Sequence, residues 1–194
     1  RPLAPSALGE DVDADPPFAA AGVADAARRG VLMHRLLERL PAVAEAERQS
    51  AAEAWLARNA GEFDAAAQAG MTEQALQVLK HPQWQSLFAA EALAEVPIAA
   101  LVGDQMVVGT IDRLIVEPDS VRLIDFKTSR RPPAGIEQVP VATFRQMAAY
   151  VAALEVTYPG RRVEAALLYT AVPRLITLTE GALAVHKQGL LPVQ

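Results

Sequence analysis

Two carboxylates that one β-hairpin brings face to face constrain this chain more than any other feature of its sequence. Apolar runs rich in β-branched residues occupy 107–116 and 121–129, and the residues between them have the composition of a tight turn. In a hairpin with this turn, Asp112 lies opposite Asp125, and both side chains lie on one face. Lys127 shares that face because side chains alternate along a strand. The sequence therefore predicts that two acids and a lysine converge.

Apolar side chains fill both faces of the predicted hairpin, so a charge cluster within it is costly unless something compensates it. The face of the two acids also carries Leu114, Val116, Val121 and Leu123, and the opposite face carries Ile111, Ile115, Ile124 and Phe126. Facing carboxylates repel unless a cation lies between them, and oxygen ligands of this kind suit Mg²⁺ or Mn²⁺. An isolated Asp-x-Lys triplet is also compatible with an ordinary hairpin whose charges are solvated.

Further motifs give the hairpin a family resemblance. With its flanks it resembles the core of the PD-(D/E)XK nucleases, specifically the branch at the C-terminus of RecB and AddA helicase-nucleases. Residues 30–38 resemble the GxxxHxxLE helix of that branch, 95–97 its acidic strand and 146–150 its QxxxY helix. Residues 165–170 resemble the strand that follows. The motifs occur in the family's order, which makes the set far more specific than any one of them.

The resemblance implies an α/β fold with a restriction-endonuclease-like core, in which helices flank a mixed central β-sheet and a helical region lies at the N-terminus. Local patterns agree with this fold. They predict helices near 23–40, 43–59, 72–80 and 143–156, and strands near 93–101, 105–117, 120–128, 163–170 and 175–178.

The resemblance also implies the roles of individual side chains. Asp112, Asp125 and Lys127 would be catalytic, and the metal ligands would be His34, both acids and the backbone carbonyl of Phe126. The metal is expected to be Mg²⁺, with Mn²⁺ as the alternative, and it would activate a water that attacks a phosphodiester. Lys127 would orient that water or stabilise charge on the phosphate, for which a compact ammonium is suited.

Three residues would support this site: Glu95, Gln146 and Tyr150. Gln146 and Tyr150 form an i, i+4 pair on a predicted helix, so they share a face of it. Glu95 either lies near the metal or pairs with a neighbouring base. On the first helix, Gly30 is one turn before His34 and permits close backbone approach.

The charge distribution bears on nucleic-acid binding. The net charge of -5 is unfavourable for contact with phosphates. Residues 121–174, however, hold eight basic and four acidic side chains, a local balance of +4. Arg130, Arg131 and Arg145 fall in this region and are the predicted DNA-binding residues, although a charge run in a loop is often only solvated.

Composition excludes several classes of protein. The chain has no cysteine, so it holds neither a disulfide nor the four-cysteine iron–sulfur cluster of related nucleases such as the AddB partner subunit. That absence points to the AddA side of the family and suits the reducing cytoplasm, our expected location. No apolar run reaches the roughly twenty residues of a membrane span, so no membrane partner is expected.

The expected domain organisation is a linker at 1–22 followed by a nuclease domain at 23–194. Prolines and acidic residues dominate the first segment, and the chain begins with Arg1 where an initiator methionine would stand. We therefore expect an excised C-terminal domain, downstream of an ATP-driven helicase that would hold the only ATP site.

Three functions compete at this point. The first is the nuclease domain of a double-strand-break repair helicase-nuclease of the AddAB or RecBCD type, which cuts single-stranded DNA ends delivered by the motor and assembles with an AddB-like subunit. The second is a stand-alone nuclease on another nucleic acid, and the third is a catalytically silent module that docks to a partner. Intact Asp112, Asp125 and Lys127 argue against the third.

Overall fold

The computed structural model describes residues 2–5 and 20–187. The helices are α1 (Ala20–Arg39), α2 (Arg48–Asn59), α3 (Ala65–Lys80), α4 (Val141–Thr157) and α5 (Glu180–Lys187). The strands are β1 (Leu93–Val102), β2 (Gln105–Val116), β3 (Ser120–Lys127), β4 (Arg162–Tyr169) and β5 (Arg174–Leu178).

The strands form one five-stranded sheet in the order β1-β2-β3-β4-β5. β3 and β4 run parallel, with α4 as the crossover between them, and the other neighbours are antiparallel. A parallel pair needs such a crossover because a tight turn cannot return the chain to the same end of the sheet. The predicted mixed sheet flanked by helices is confirmed.

Helices cover both faces of the sheet and create two cores. On one face, α4 and Leu183 of α5 pack against all five strands. On the other, α1, α2, α3 and the 3₁₀ segment Pro82–Phe88 pack against β3 and β4. α1 contributes its buried stripe there: Leu32, Met33, Leu36 and Leu37. β3 and β4 are thus buried on both faces, which explains their nearly continuous apolar sequences.

The β2–β3 hairpin has the predicted register, with Arg113 paired to Ile124 and Val116 to Val121. The predicted orientation of one side chain is wrong. We expected Ile111 opposite the acid face, but it packs with Leu114 in the core beneath α4. Residues three apart on a regular strand point to opposite faces, so the alternation of β2 shifts between these two positions.

Several elements differ from their predicted bounds. α3 begins at Ala65, because Asp64 accepts a 2.7 Å hydrogen bond from the Ala67 N–H and caps the helix. α5 was not predicted. Of the predicted linker at 1–22, residues 1 and 6–19 lie outside the described residues. Within the described part, Leu3 forms a parallel bridge with Val107 on the edge of β2 that β3 leaves open.

Within the part of the chain that the structure describes, no helix combines the length and apolarity required to cross a membrane.

A glycine in β2 sets the distance between the sheet and α4. A Cβ atom at Gly109 would lie 2.7 Å from the Tyr150 hydroxyl oxygen, which is held by a 2.9 Å hydrogen bond to the Thr110 carbonyl. We predict that Gly109→Ala lowers the free energy of unfolding by about 1–3 kcal/mol, because the buried ring has no room to move. Urea unfolding measures this change.

Gly70→Ala is the matched control for that experiment, because a Cβ atom at Gly70 within α3 meets nothing within 4 Å. It should raise the free energy of unfolding by about 0.5–1 kcal/mol through helix propensity alone. Equal effects of the two substitutions would contradict the packing role assigned to Gly109.

Candidate active site

Three acids lie at the same level on three neighbouring strands. The pairs on either side place Glu95 of β1 opposite Asp112 of β2. Continuing the β2–β3 register by one residue places Asp112 opposite Asp125 of β3. We call Glu95, Asp112 and Asp125 the acid row. The backbone pairing of β1 and β2 omits the Glu95–Asp112 pair, and that of β2 and β3 ends one residue before the row.

The Asp112 side chain takes over where the β2–β3 backbone pairing ends. Its Oδ2 accepts a 2.6 Å hydrogen bond from the N–H of Phe126. A buried N–H without an acceptor would be costly, so this bond compensates for the missing backbone partner. It also fixes Oδ2 of the carboxylate and leaves the second oxygen, Oδ1, available for other contacts.

Glu95 has an unusual backbone conformation, with a φ of 50°, and it is the one described residue other than glycine with a positive φ. A residue other than glycine adopts a positive φ at a cost of about 1–3 kcal/mol. Such strain persists where surrounding structure imposes it, and it is typical of functional sites. Here it coincides with the shift of strand alternation at the acid row.

One group of ligand atoms in the described residues has the spacing of a metal site. A nitrogen of His34 and one carboxylate oxygen each from Glu95 and Asp112 all lie within 4.8 Å of one another. His34 Nδ1 lies 3.2 Å from Asp112 Oδ1. The structure thus places Glu95 beside the predicted ligands His34 and Asp112, whereas Asp125 is outside this group.

Packing of α1 against β3 brings His34 to the acids. The His34 ring meets the edge of the Phe126 ring, with centroids 5.6 Å apart. One turn earlier on α1, a Cβ atom at Gly30 would lie 3.1 Å from the Thr128 hydroxyl oxygen, so the predicted close approach at Gly30 is confirmed. Phe126 donates its N–H to Asp112, and the role of its carbonyl oxygen as a ligand stays a prediction.

Asp125 and Lys127 form a second group, which Gln146 of α4 connects. Gln146 donates to Asp125 Oδ1 at 3.2 Å and accepts from the Lys127 ammonium at 3.0 Å. The ammonium also forms an ion pair with the buried Asp125 Oδ2, at 3.1 Å. Gln146 therefore fixes the relative positions of an acid and a base.

Burial and mutual repulsion shift the protonation of the site. Burial raises the pKa of Asp125 despite the opposing charge of Lys127, and the nearby Asp112 raises it further. Burial and Asp112 also raise the pKa of Glu95. Burial disfavours protonation of His34, but the Asp112 carboxylate outweighs it and leaves the pKa of His34 raised. Each shift favours the protonated form, which is the effect of burial and of neighbouring carboxylates.

Tyr150 lies one turn after Gln146 and is 2% exposed. Burial, then the charge of Asp125, raises the pKa of Tyr150 to about 12, so the phenol stays protonated and donates to the Thr110 carbonyl. This hydrogen bond anchors α4 to β2. The helix that carries Gln146 and Tyr150 is buried on nearly every side from Ala142 to Leu154.

The residues at the acid row fit a divalent cation. Carboxylate oxygens suit Mg²⁺ and Mn²⁺, and an imidazole nitrogen is a more usual ligand of transition metals. Asp125 Oδ2 is a buried oxygen whose described polar partner is the Lys127 ammonium. A cation beside the row would compensate this oxygen and the repulsion that raises the pKa values of Glu95 and Asp125.

Comparison with known proteins agrees with this geometry. Residues 11–188 match the PD-(D/E)XK nuclease superfamily. The chain belongs to that superfamily. No curated protein matches it. Among solved structures, the crystal structure of SSO0001 is similar over 81% of this chain and 73% of its own, with 15% sequence identity and a TM-score of 0.35.

The predicted DNA-binding arginines of this PD-(D/E)XK protein surround the loop after β3. Arg130 and Arg131 are exposed in that loop, and Arg145 is exposed on α4 beside Gln146. Arg29 of α1 lies near enough to Arg130 that, after burial, their repulsion further lowers the pKa of Arg29. Cations from a helix and a loop thus approach one another three residues after Lys127.

Sequence reasoning missed Arg113, which directly follows Asp112 and is 3% exposed. An arginine within a strand predicted to be buried on both faces was the available signal, because such a charge needs partners.

A groove of about 620 Å³ between α2 and α3 lies apart from the acid row and is lined by Gln49, Glu53, Ala69, Thr72, Glu73, Leu76, Gln77, Lys80 and His81.

Substitutions of Asp112 should separate its two tasks. We predict that Asp112→Asn abolishes Mn²⁺ binding in calorimetry and leaves stability nearly unchanged, because the amide oxygen still accepts from the Phe126 N–H. Asp112→Ala should also abolish binding and lower the free energy of unfolding by a further 1–3 kcal/mol or so, since that N–H loses its acceptor. Wild-type Mn²⁺ affinity in either variant would contradict a ligand role.

Proposed function

We propose that the chain hydrolyses phosphodiester bonds in DNA by a metal-dependent reaction at the acid row. The observation that carries this proposal is that His34 of α1, Glu95 of β1 and Asp112 of β2 form one ligand group, with the Asp125–Lys127 ion pair on the strand next to β2. Membership of a nuclease superfamily supports the reaction class. The predicted catalytic set Asp112, Asp125 and Lys127 is retained, with Glu95 added as a proposed ligand.

The chain's own residues would divide the work. His34, Glu95 and Asp112 would hold the metal, with Asp125 and the Phe126 carbonyl as further proposed ligands. When bound, the metal supplies an acidified water and neutralises charge on the phosphate. Lys127 would orient the attacking water or stabilise the charge that grows on a non-bridging oxygen. Gln146 keeps the ammonium within reach of both by holding it against Asp125.

Mg²⁺ is the proposed metal, and Mn²⁺ is a strong alternative. Carboxylates suit both ions, but Mg²⁺ loses its waters reluctantly and accepts few protein ligands, whereas an imidazole is better matched to a transition metal. Mn²⁺ is therefore the probe for binding experiments, and both ions should be compared for turnover.

The proposed substrate is the end of single-stranded DNA, and the proposed setting is the nuclease domain of an AddAB or RecBCD type helicase-nuclease in the cytoplasm. The ordered motifs support this setting, because His34 meets Asp112 from α1, where Gly30 lies close to Thr128, and Gln146 meets Asp125 from α4. In that setting an ATP-driven motor would deliver the strand, and an AddB-like subunit would be the partner. Delivery would offset the net charge of -5 by raising the local strand concentration.

Cleavage of labelled single-stranded DNA tests the proposed reaction. We predict that Lys127→Met lowers the cleavage rate at saturating Mg²⁺ at least about 100-fold, because charge stabilisation of the transition state is removed. Its Mn²⁺ affinity should persist or rise, since a cation near the ligands has been removed.

Lys187→Met is the control. Lys187, at the end of α5, makes a 2.6 Å ion pair with Glu155 in the last turn of α4, away from the acid row. It should cleave at the wild-type rate. If the wild-type chain binds Mn²⁺ but cleaves neither DNA nor RNA, the chain is a docking module, and the proposed reaction is wrong. Cleavage of RNA in preference to DNA would favour a stand-alone nuclease.

The loop arginines should act on capture of the strand. We predict that Arg130→Ala with Arg131→Ala raises KM for single-stranded DNA and leaves kcat unchanged. The dependence of log affinity on log salt concentration should become shallower by about 0.7 for each phosphate that the variant no longer neutralises.

Arg161→Ala with Arg162→Ala is a control with the same change of charge. Arg162 pairs with Ser120 at the start of β3, seven residues from Lys127 at its end. This control should leave the salt dependence unchanged. A loop variant that loses kcat at saturating DNA but keeps its affinity would contradict a role in capture.

A further inference from the structure

Arg113 is a buried arginine whose guanidinium reaches the backbone of two other elements. Nη2 donates to the Leu37 carbonyl at 2.6 Å, and Nη1 donates to the Ala92 carbonyl at 3.1 Å. The charged group also lies over the ring of Phe88, 5.2 Å from its centroid. Leu37 is in the last turn of α1, where carbonyls lack helical partners and a cation is favourable.

The positions of these contacts relate Arg113 to the proposed metal ligands. Leu37 lies three residues after His34, Ala92 lies three residues before Glu95, and Arg113 itself follows Asp112. The three ligands come from α1, β1 and β2, which are separate elements in the sequence. Arg113 therefore connects the three parts of the chain that supply the ligands. Each residue in these two hydrogen bonds lies within three residues of a ligand.

We propose that Arg113 is the positioning residue of the metal site: its two hydrogen bonds hold α1 and the start of β1 against β2, so that His34, Glu95 and Asp112 converge on one cation. This inference rests on the proposed function, because it assigns a second layer to the same site. Residues that orient metal ligands from behind commonly change metal affinity about 10–100-fold when they are replaced.

Geometry explains why an arginine serves here. Its planar guanidinium donates along two fixed directions, so one side chain reaches two carbonyls at once. A lysine at this position presents a single flexible ammonium, which does not fix the angle between the two carbonyls. Burial lowers the pKa of Arg113, against the charges of Glu38, Glu95 and Asp112, but a guanidinium stays charged in proteins.

Charge and position predict opposite effects on metal binding. Arg113 lies close enough to Glu95 and Asp112 to interact with their charges, so its own charge disfavours a second cation at the acid row. If Arg113 acted only through charge, Arg113→Met would strengthen metal binding. If it positions the ligands, the same substitution weakens binding. The sign of the change therefore separates the two roles.

The experiment measures Mn²⁺ affinity by calorimetry in the whole chain for wild type, Arg113→Met and Arg113→Lys. Both variants should remain folded at low temperature, with circular dichroism as the check, but with reduced stability because buried carbonyls lose donors. We expect the dissociation constant for Mn²⁺ to rise about tenfold or more in both variants. The lysine variant keeps the charge and carries the test if the methionine variant unfolds.

Arg48→Lys is the matched control. Arg48 also donates to several backbone carbonyls, those of Leu40, Pro41 and Val43. It begins α2, and none of its described hydrogen-bond partners belongs to the acid row. It should lose stability as Arg113→Lys does, while its Mn²⁺ affinity stays at the wild-type value.

A distance measurement tests the positioning role without metal. The chain has no cysteine, so spin labels attach only at introduced sites. Val31→Cys on α1 and Leu93→Cys on β1 suit this purpose, because these positions are 52% and 49% exposed. In double electron–electron resonance, Arg113→Lys should broaden the distance distribution between the labels, and Arg48→Lys should leave it unchanged.

The outcomes discriminate between the proposals. If wild type itself binds no Mn²⁺, the proposed metal site is wrong. If wild type binds Mn²⁺ and folded Arg113 variants bind it equally well or more tightly, the positioning role is wrong and the proposed function stands. An unchanged label distribution in Arg113→Lys would also overturn the positioning role.

Discussion

The hydrogen bond from the Phe126 N–H to Asp112 is the contact on which the site depends. A regular hairpin would give this N–H a backbone acceptor, and the Asp112 carboxylate would then point freely from the strand. Here the carboxylate replaces the backbone acceptor at 2.6 Å, at the position where β2 and β3 separate. The position of a proposed ligand is thereby tied to strand register, since a slip of one residue would remove both the bond and the alignment of the acids.

In the metal-free protein, burial and mutual repulsion make the negative charges of the acid row unfavourable. Burial and repulsion raise the pKa values of Asp125 and Glu95, while Asp112 stabilises a protonated His34. Lys127, Arg35 and Arg113 are cations of the chain that act on these acids. A divalent ion at the row would oppose the same pKa shifts, so its affinity should depend on pH. The positive φ of Glu95 adds backbone strain to the same few residues.

Sequence patterns predicted the elements that follow from local rules. Hairpin register follows from the turn and from two-residue alternation, so the alignment of Asp112 with Asp125 was predictable, as was the close approach at Gly30. The shift of alternation after Ile111 was not predictable, and neither was the positive φ of Glu95 beside it, a backbone conformation that no propensity favours. Arg113 was missed because its two carbonyl partners are distant in sequence. Roles for individual site residues came from the family resemblance and stay predictions.

The bridge between Leu3 and Val107 bears on where the folding unit begins. β2 extends past the end of β3, so part of its edge would present unpaired backbone groups. Leu3 occupies that edge, receiving a hydrogen bond from Val108 and donating one to the Met106 carbonyl. An uncovered strand edge is a template for pairing with other chains. A fragment trimmed at α1 would thus keep every side chain of the acid row and still acquire a self-association surface, so solubility, rather than catalysis, should define the shortest workable domain.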